Sequence, residues 1–454
     1  MKNLTLSVAS VLALLTPLSA VHAESLNEAL ALTYNSNPTL QAQRASVRGV
    51  DEGVAQAISE WRPTVTLVGE AGAEYNKNSS TTLPGGDRTY NPSSLALSVS
   101  QSLYSGGQTT AKTASAEANV KAARSGLESV EQSIFQSTVA AYMNVLRDKA
   151  VVDLNANNVG VLERQLEAAS DRFEVGEITR TDVAQAEARL AGAKSDLVGG
   201  VGNLKVSEAN YERIVGQKPG ELNYPGLPAD FPETIESALE LGLNNHPDIQ
   251  SAKFNEESSK HTIRSTSGQL LPSLSVNGSL SQSNNQSSES QWGQKGEISA
   301  TLTIPLYQSG AVYSSVRQAR QLNNQRKIEI ESAVRLVREA VTQSWEQLES
   351  ARAQIAATEE QVRANTIALE GVEQEAQVGS RTTLDVLDAE QELLTSQVNL
   401  VSARRNVYVA MYDVLASVGN LGAEELSLSV DYYDPETNYK RVRNKWSGTD
   451  GGLN

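Results

Sequence analysis

An internal duplication constrains this chain more than any other feature. Leu26-Asn27-Glu28-Ala29-Leu30, followed by Asn37-Pro38, recurs as Ile235-Glu236-Ser237-Ala238-Leu239, followed by His246-Pro247, at an offset of 209. Trp61-Arg62-Pro63 recurs at the same offset as Leu270-Leu271-Pro272. Farther on the offset falls to 203: Leu103-Tyr104-Ser105-Gly106-Gly107 pairs with Leu306-Tyr307-Gln308-Ser309-Gly310, Val175-Gly176 with Val378-Gly379, and Asp182-Val183 with Asp385-Val386. The six-residue difference lies between 64–102 and 273–305. A unit of about 200 residues has therefore been used twice, and whatever it folds into must fit a second copy of itself. Segment 217–232, with Pro219, Pro225, Pro228 and Pro232, separates the copies as a proline-rich linker, because no helix interior accepts such a run.

Each copy holds two runs that alternate with period two. In the first, Val65, Leu67, Gly69, Ala71 and Ala73 interleave with polar positions that include Glu70, and Leu95, Leu97, Val99 and Leu103 interleave with serines. In the second, Leu274, Val276 and Leu280 alternate with Ser and Asn, and Ile298, Ala300, Leu302 and Ile304 with Glu297, Ser299, Thr301 and Thr303. Segments of about ten residues with one apolar and one polar side suit transmembrane barrel strands. A soluble sheet with one wet face alternates identically, so periodicity alone does not separate the two. The polar connections expected at 76–92 and 282–295, together with an export signal, favour the membrane. Four strands cannot close a barrel, and hydrocarbon does not tolerate open sheet edges. A spanning sheet would therefore require a homo-oligomer, two chains giving eight strands and three giving twelve.

The rest reads as helix. Runs 107–173 and 310–377 contain no proline, and at ~1.5 Å per residue each would form a rod of roughly 100 Å. After the Val-Gly breaks, apolar or small residues recur in steps of three and four: Val183, Ala186, Leu190, Ala193, Leu197, Gly200 and Leu204 in one copy, and Val386, Ala389, Leu393, Ser396, Leu400, Ala403, Val407 and Ala410 in the other. This is a coiled-coil seam narrow enough for close helix approach. A long helix, a tight break and a returning helix form an antiparallel hairpin, present twice, at about 107–215 and 310–418.

Composition excludes much chemistry. The chain has no cysteine, which removes disulfides, thiolate metal sites, cysteine nucleophiles and N-terminal lipidation through cysteine. Its three histidines, His22, His246 and His261, are scattered and make no metal centre. A net charge of −16 disfavours nucleic acid. Only 22 of 454 residues are aromatic, in keeping with long helices packed through small side chains. Lys2, an apolar run at 8–15 and Val21-His22-Ala23 form an export signal over 1–23, so the mature chain is expected to start at Glu24. A mean hydropathy of −0.35 leaves no room for a bundle of membrane helices. There is no G-x-S-x-G, phosphate loop or H-E-x-x-H, so neither an enzyme nor a cofactor is expected.

The set of duplicated motifs, in order, resembles the TolC family of outer-membrane exit ducts. The matching residues are Asn37-Pro38 and His246-Pro247, Trp61-Arg62-Pro63 and Leu271-Pro272, Leu103 to Gly107, Pro305-Leu306-Tyr307, and the run from Val378 through Asp385 and Asp388 to Ala389. The resemblance implies a mixed α and β membrane protein and a homotrimer. Its 12-stranded outer-membrane β-barrel, four strands per chain, would be continuous with a long periplasmic coiled-coil barrel of helices. The parts would be a first repeat over 24–216 with its β-hairpin at about 64–105, the linker 217–232, a second repeat over 233–420 with its hairpin at about 273–306, and a periplasmic C-terminal tail over 421–454.

The resemblance also implies partners and sites. The tunnel would meet a periplasmic adaptor protein and receive drugs or secreted proteins from an inner-membrane transporter of ABC or RND type. The tips Val175, Gly176, Val378 and Gly379 would contact the adaptor. Asp385 and Asp388 match the acids lining the narrowest aperture, where three-fold repetition would attract cations. Asp385 also suits the first turn of a helix whatever its function, as does Asp182 in copy one. Asp388 has Gln185 as its copy-one equivalent, a difference no capping need explains. Arg381 matches an arginine that latches the closed tip to Asp182, while a tyrosine of that latch is Ala376 here. The competing reading is a secreted trimeric coiled-coil adhesin or stalk, which leaves two symmetrically placed strand pairs unexplained.

Overall fold

The structure, a computed structural model, describes residues 24–77, 88–226, 228, 231–285 and 291–450. The export segment 1–23 lies outside the described residues. Each copy opens with two short helices set by local capping. In α1 (Leu26–Ser36), Ser25 and Glu28 form a reciprocal capping box; in α2 (Pro38–Ser59), Asn37 caps and Pro38 occupies the first turn. Copy two repeats this with α5 (Ile235–Asn245) behind Thr234, and α6 (Pro247–Gly268) behind His246 and Pro247.

The long helices are α3 (Gln108–Glu174) and α7 (Ala311–Gln377), 67 residues each, and α4 (Arg180–Val215) and α8 (Thr383–Ser417) return along them. The end of α4 meets the start of α2: Asn37 Nδ2 donates to the Ile214 carbonyl at 2.9 Å, and Ser36 Oγ to that of Val215 at 2.8 Å. Gly419, just past α8, abuts the His246 backbone at the start of α6. Each copy thus contributes one continuous helix and one assembled from two pieces. Helix α3 packs against α2, α6, α4 and α8, and α7 against α6 and α8. Twenty-one residues of α3 are buried but only eight of the equally long α7, so α7 is an edge with an open flank.

The sheet is antiparallel, with order β1–β4–β5–β6: β1 (Thr64–Ala71), β4 (Ser93–Ser105), β5 (Ser273–Asn284) and β6 (Trp292–Thr303). Register places Leu67 opposite Leu97 and Leu97 opposite Leu280, with Val65 opposite Val99 and Leu274 opposite Leu302. One face is therefore an apolar band across all four strands. The other carries Thr66, Ser98, Ser279 and Glu297 in one row and Glu70 and Ser94 in another. Among the described residues the outer strands β1 and β6 each pair on one side only.

Two expectations are corrected. Leu103 does not continue the apolar alternation of β4: a bulge lies between Ser102 and Tyr104, and Tyr104 instead takes the apolar face opposite Leu274. The polar connections at 76–92 and 282–295 are partly strand, because polar residues pair as well as apolar ones where one face is wet. The ribbon β2 (Glu74–Asn76) with β3 (Arg88–Tyr90) extends the first hairpin, and β5 and β6 stay paired out to Asn284 and Trp292. The segment after 420, of which the sequence says nothing beyond its position, starts inside the fold. Leu421, Ala423 and Leu428 are buried in the core formed by α1, α3 and α4, and α9 (Pro435–Val442) packs on α2.

That core, centred on Phe135, Tyr142, Tyr211, Leu30 and Leu40, sits midway along the helices. The proline-rich segment closes it: Tyr142 Oη reaches the Asn223 carbonyl, and Tyr211 Oη donates to Glu24 Oε1 at 2.7 Å. Among the described residues no helix is long and apolar enough to cross a membrane.

Candidate functional site

Both hairpins end in the same turn. Helix α3 stops at Val175 because Gly176 takes φ = +82°, and the Glu177 N–H closes onto the Arg172 carbonyl at 2.9 Å. In copy two Gly379 takes φ = +79° and the Ser380 N–H reaches the Glu375 carbonyl at 2.9 Å. A β-carbon at either position would be strained, which is the reason for glycine there. Val175 and Val378 are left exposed at the two tips.

The returning helices start alike. Asp182 Oδ2 accepts from Thr179 N and Oγ1, each at 2.8 Å, and Asp385 Oδ2 accepts from Thr382 N and Oγ1 at the same distances. These bonds hold both carboxyls below the usual carboxylate range: in Asp182 the hydroxyl bond acts most strongly, in Asp385 the backbone bond. Both acids are capping residues first. Neither is hydrogen-bonded to Arg381 within the chain: Arg381 Nε donates to Glu375 Oε2 at 2.8 Å and acts on Asp385 only through its charge. The Arg381–Asp182 latch is thus absent from the single chain, since each partner is held by a residue nearer in sequence.

Asp388 has a different partner. Its Oδ1 receives Arg189 Nη2, joining α8 to α4 across the two copies. Beneath it Leu387 is fully buried among Leu162, Leu190 and Ala193. Glu390 is buried too: Gln165 Nε2 donates to Oε1 at 3.2 Å, Oε2 has no partner, and desolvation pushes its carboxyl up. Sequence reasoning missed Arg189 and Glu390. A signal for Arg189 existed, because its copy-two equivalent is Glu392, just as Gln185 corresponds to Asp388. The two returning helices differ in charge at the same two positions.

No group of His, Cys, Asp or Glu among the described residues could hold a metal ion. The returning helix α8 places Asp385 and Asp388 within its first turns, beside the glycine turn that ends its hairpin. The outer membrane efflux protein family model matches residues 29–217 and 238–420, one match for each copy. The chain belongs to the outer membrane efflux protein family. It is 35% identical to the outer membrane efflux protein BepC of Brucella suis over 430 residues, 94% of this chain and 92% of that protein. It is 26% identical to the outer membrane protein TolC of Escherichia coli, over 90% and 85% of the two chains. The crystal structure of the Campylobacter jejuni CmeC outer membrane channel superposes with a TM-score of 0.76 at 17% identity, covering 92% of this chain and 89% of that one. Members of this family are passive outer-membrane channels and not enzymes. The chain therefore resides in the outer membrane and serves export.

Proposed function

We propose that three copies of this chain close into one exit duct that passively conducts drugs or secreted proteins from an inner-membrane transporter to the outside. The observation that carries this reading is the coincidence of open edges. Among the described residues β1 and β6 each pair with one strand only, and α7, the helix that follows β6 in the chain, buries only eight residues where the equally long α3 buries twenty-one. Copies placed side by side would satisfy both edges at once, and three of them would give a 12-stranded barrel whose apolar band faces lipid.

In that duct Asp385 and Asp388 form rings of carboxylates at the periplasmic end. Val175-Gly176 and Val378-Gly379 present apolar tips to a periplasmic adaptor protein. An Arg381–Asp182 contact belongs to the closed trimer, between neighbouring copies, because within one chain both residues are already engaged. Nothing in the fold favours an adhesin or stalk, which would need its membrane part only once.

Purified protein in a planar bilayer should give discrete conductance, and native mass analysis should give three chains per particle. A monomer without conductance would overturn the duct.

A further inference from the structure

The last described residues end in an unusual place. Beyond α9 the chain climbs to the base of the sheet, where Trp446 stacks on the Arg62 guanidinium 4.8 Å from its ring centre. Arg62 Nη1 also donates to the Lys445 carbonyl. Lys445 Nζ turns back to Asp450 Oδ1 at 2.6 Å, closing the segment into a hook. Arg62 lies two residues before β1, the strand with a free edge. Trp446 nevertheless remains 71% exposed.

The duplication tells what lies opposite. Within the chain, β4 pairs with β5; in a closed ring the equivalent seam is β6 against β1 of the next copy. At the base of the internal seam Leu103 and Tyr104, 49% and 44% exposed, lie beside the segment leading into β5. Their equivalents Leu306 and Tyr307 are 91% and 78% exposed, because the neighbouring segment is missing from a single chain. The internal seam is also very close. A β-carbon on Gly106 would fall 2.3 Å from the Gly268 carbonyl oxygen and 3.0 Å from Leu271 Cβ.

The external seam cannot be as close. Ser309 and Ser59 replace Gly106 and Gly268, and both carry a β-carbon; Arg62 replaces Leu271. Ser309 even keeps the left-handed backbone of its equivalent, φ = +53° against +64°. The backbone path is the same, the gap is wider, and the apolar residue that lined it has become a cation bearing an indole.

We infer that Trp446, held on Arg62, is an intersubunit wedge that packs against the partner subunit's Leu306 and Tyr307, so that the C-terminal segment straps each copy to the next at the base of the barrel. The surface fits a second copy of this chain: an exposed aromatic meets an exposed Leu-Tyr pair at the seam that ring closure forces together. The inference rests on the trimer reading.

Because the chain has no cysteine, cross-linking tests it directly. The full-length double variant Trp446→Cys/Leu306→Cys, oxidised in membranes, should give covalent dimers and trimers on denaturing gels. Each single variant should stay monomeric there. Trp446→Ala should lower the temperature at which the native particle dissociates, and Trp446→Phe should restore most of it. If unmodified protein is not a trimer by native mass, the trimer reading fails. If it is a trimer but the double variant yields only monomers and Trp446→Ala dissociates like wild type, the wedge fails. A lipid-sensitive fluorophore on Trp446→Cys that reports burial in bilayer also overturns the wedge, in favour of a membrane anchor.

Discussion

Arg189 and Asp388 stand 199 residues apart in sequence and 2.5 Å apart in space, and they connect the returning helix of the first copy to that of the second. Both side chains are partly exposed, so one such pair contributes only ~0–1 kcal/mol in water. Three-fold repetition around a shared axis would change the balance, because opening the tip would have to break all three. The pair also lowers the net negative charge that the Asp388 ring would otherwise present.

Arg189→Gln should therefore raise the open probability of the channel in a bilayer, by up to roughly tenfold at low ionic strength if each pair contributes about half a kilocalorie. Molar salt should erase most of the difference. Asp388→Asn should behave alike, and the double variant should add nothing. Additive effects would show that the two residues act separately.

Block by multivalent cations separates the two acids. Asp388→Ala should weaken block of single-channel current with little change in thermal stability, because its carboxylate caps no helix and its exposed pair with Arg189 contributes only ~0–1 kcal/mol. Asp385→Ala should weaken block and also loosen the start of α8, since its Oδ2 receives both Thr382 donors. Unchanged block in the pair would remove both from the aperture.

Glu131 makes the midpoint of the helices sensitive to pH. It accepts from the Ala423 N–H at 2.7 Å and borders a cavity of about 420 Å³ together with Arg44, Arg124, Glu128, Glu424 and Glu425. Burial raises its carboxyl from 4.5 to about 7, partly opposed by the Ala423 bond and Arg44, while Glu425 and Glu128 add to the rise. A raised native value means that the folded chain holds this proton more tightly than the unfolded one does. Stability from this residue is thus complete below pH 4.5 and lost as pH climbs through about 7. Glu131→Gln keeps the acceptor oxygen and removes the titration. Thermal unfolding of the variant should lose this pH dependence between 4.5 and 7, and near pH 8 the variant should be the more stable by on the order of 2 kcal/mol. A wild-type slope retained in the variant would place the titration elsewhere.

Leu387 ties Asp388 to the core. It is fully buried with Leu162, Leu190 and Ala193, so Leu387→Ala should destabilise the tip by ~2–5 kcal/mol through lost burial and a residual cavity. Proteolysis near Gly176 and Gly379 should accelerate while the melting of the middle core, far along α3 and α7, stays close to wild type.

The sequence by itself determined the elements and their faces. Period-two alternation assigned Leu67, Leu97 and Leu280 to one side of a sheet, proline-free runs gave two long helices, and Asp385 suited the first turn of a helix. These are local patterns, written within a few residues and repeated in a second copy, so a single chain displays them without knowing its neighbours. Only the tertiary structure decided which charge meets which. Arg189 finds Asp388 because α4 and α8 return side by side, whereas Arg381 stays with Glu375 six residues away. The bulge at Leu103 follows from register against β5, and the burial of Leu421 and the climb to Trp446 belong to a segment that the duplication does not repeat. Contacts of that kind depend on the packing of whole helices and strands, and no spacing along the chain encodes them.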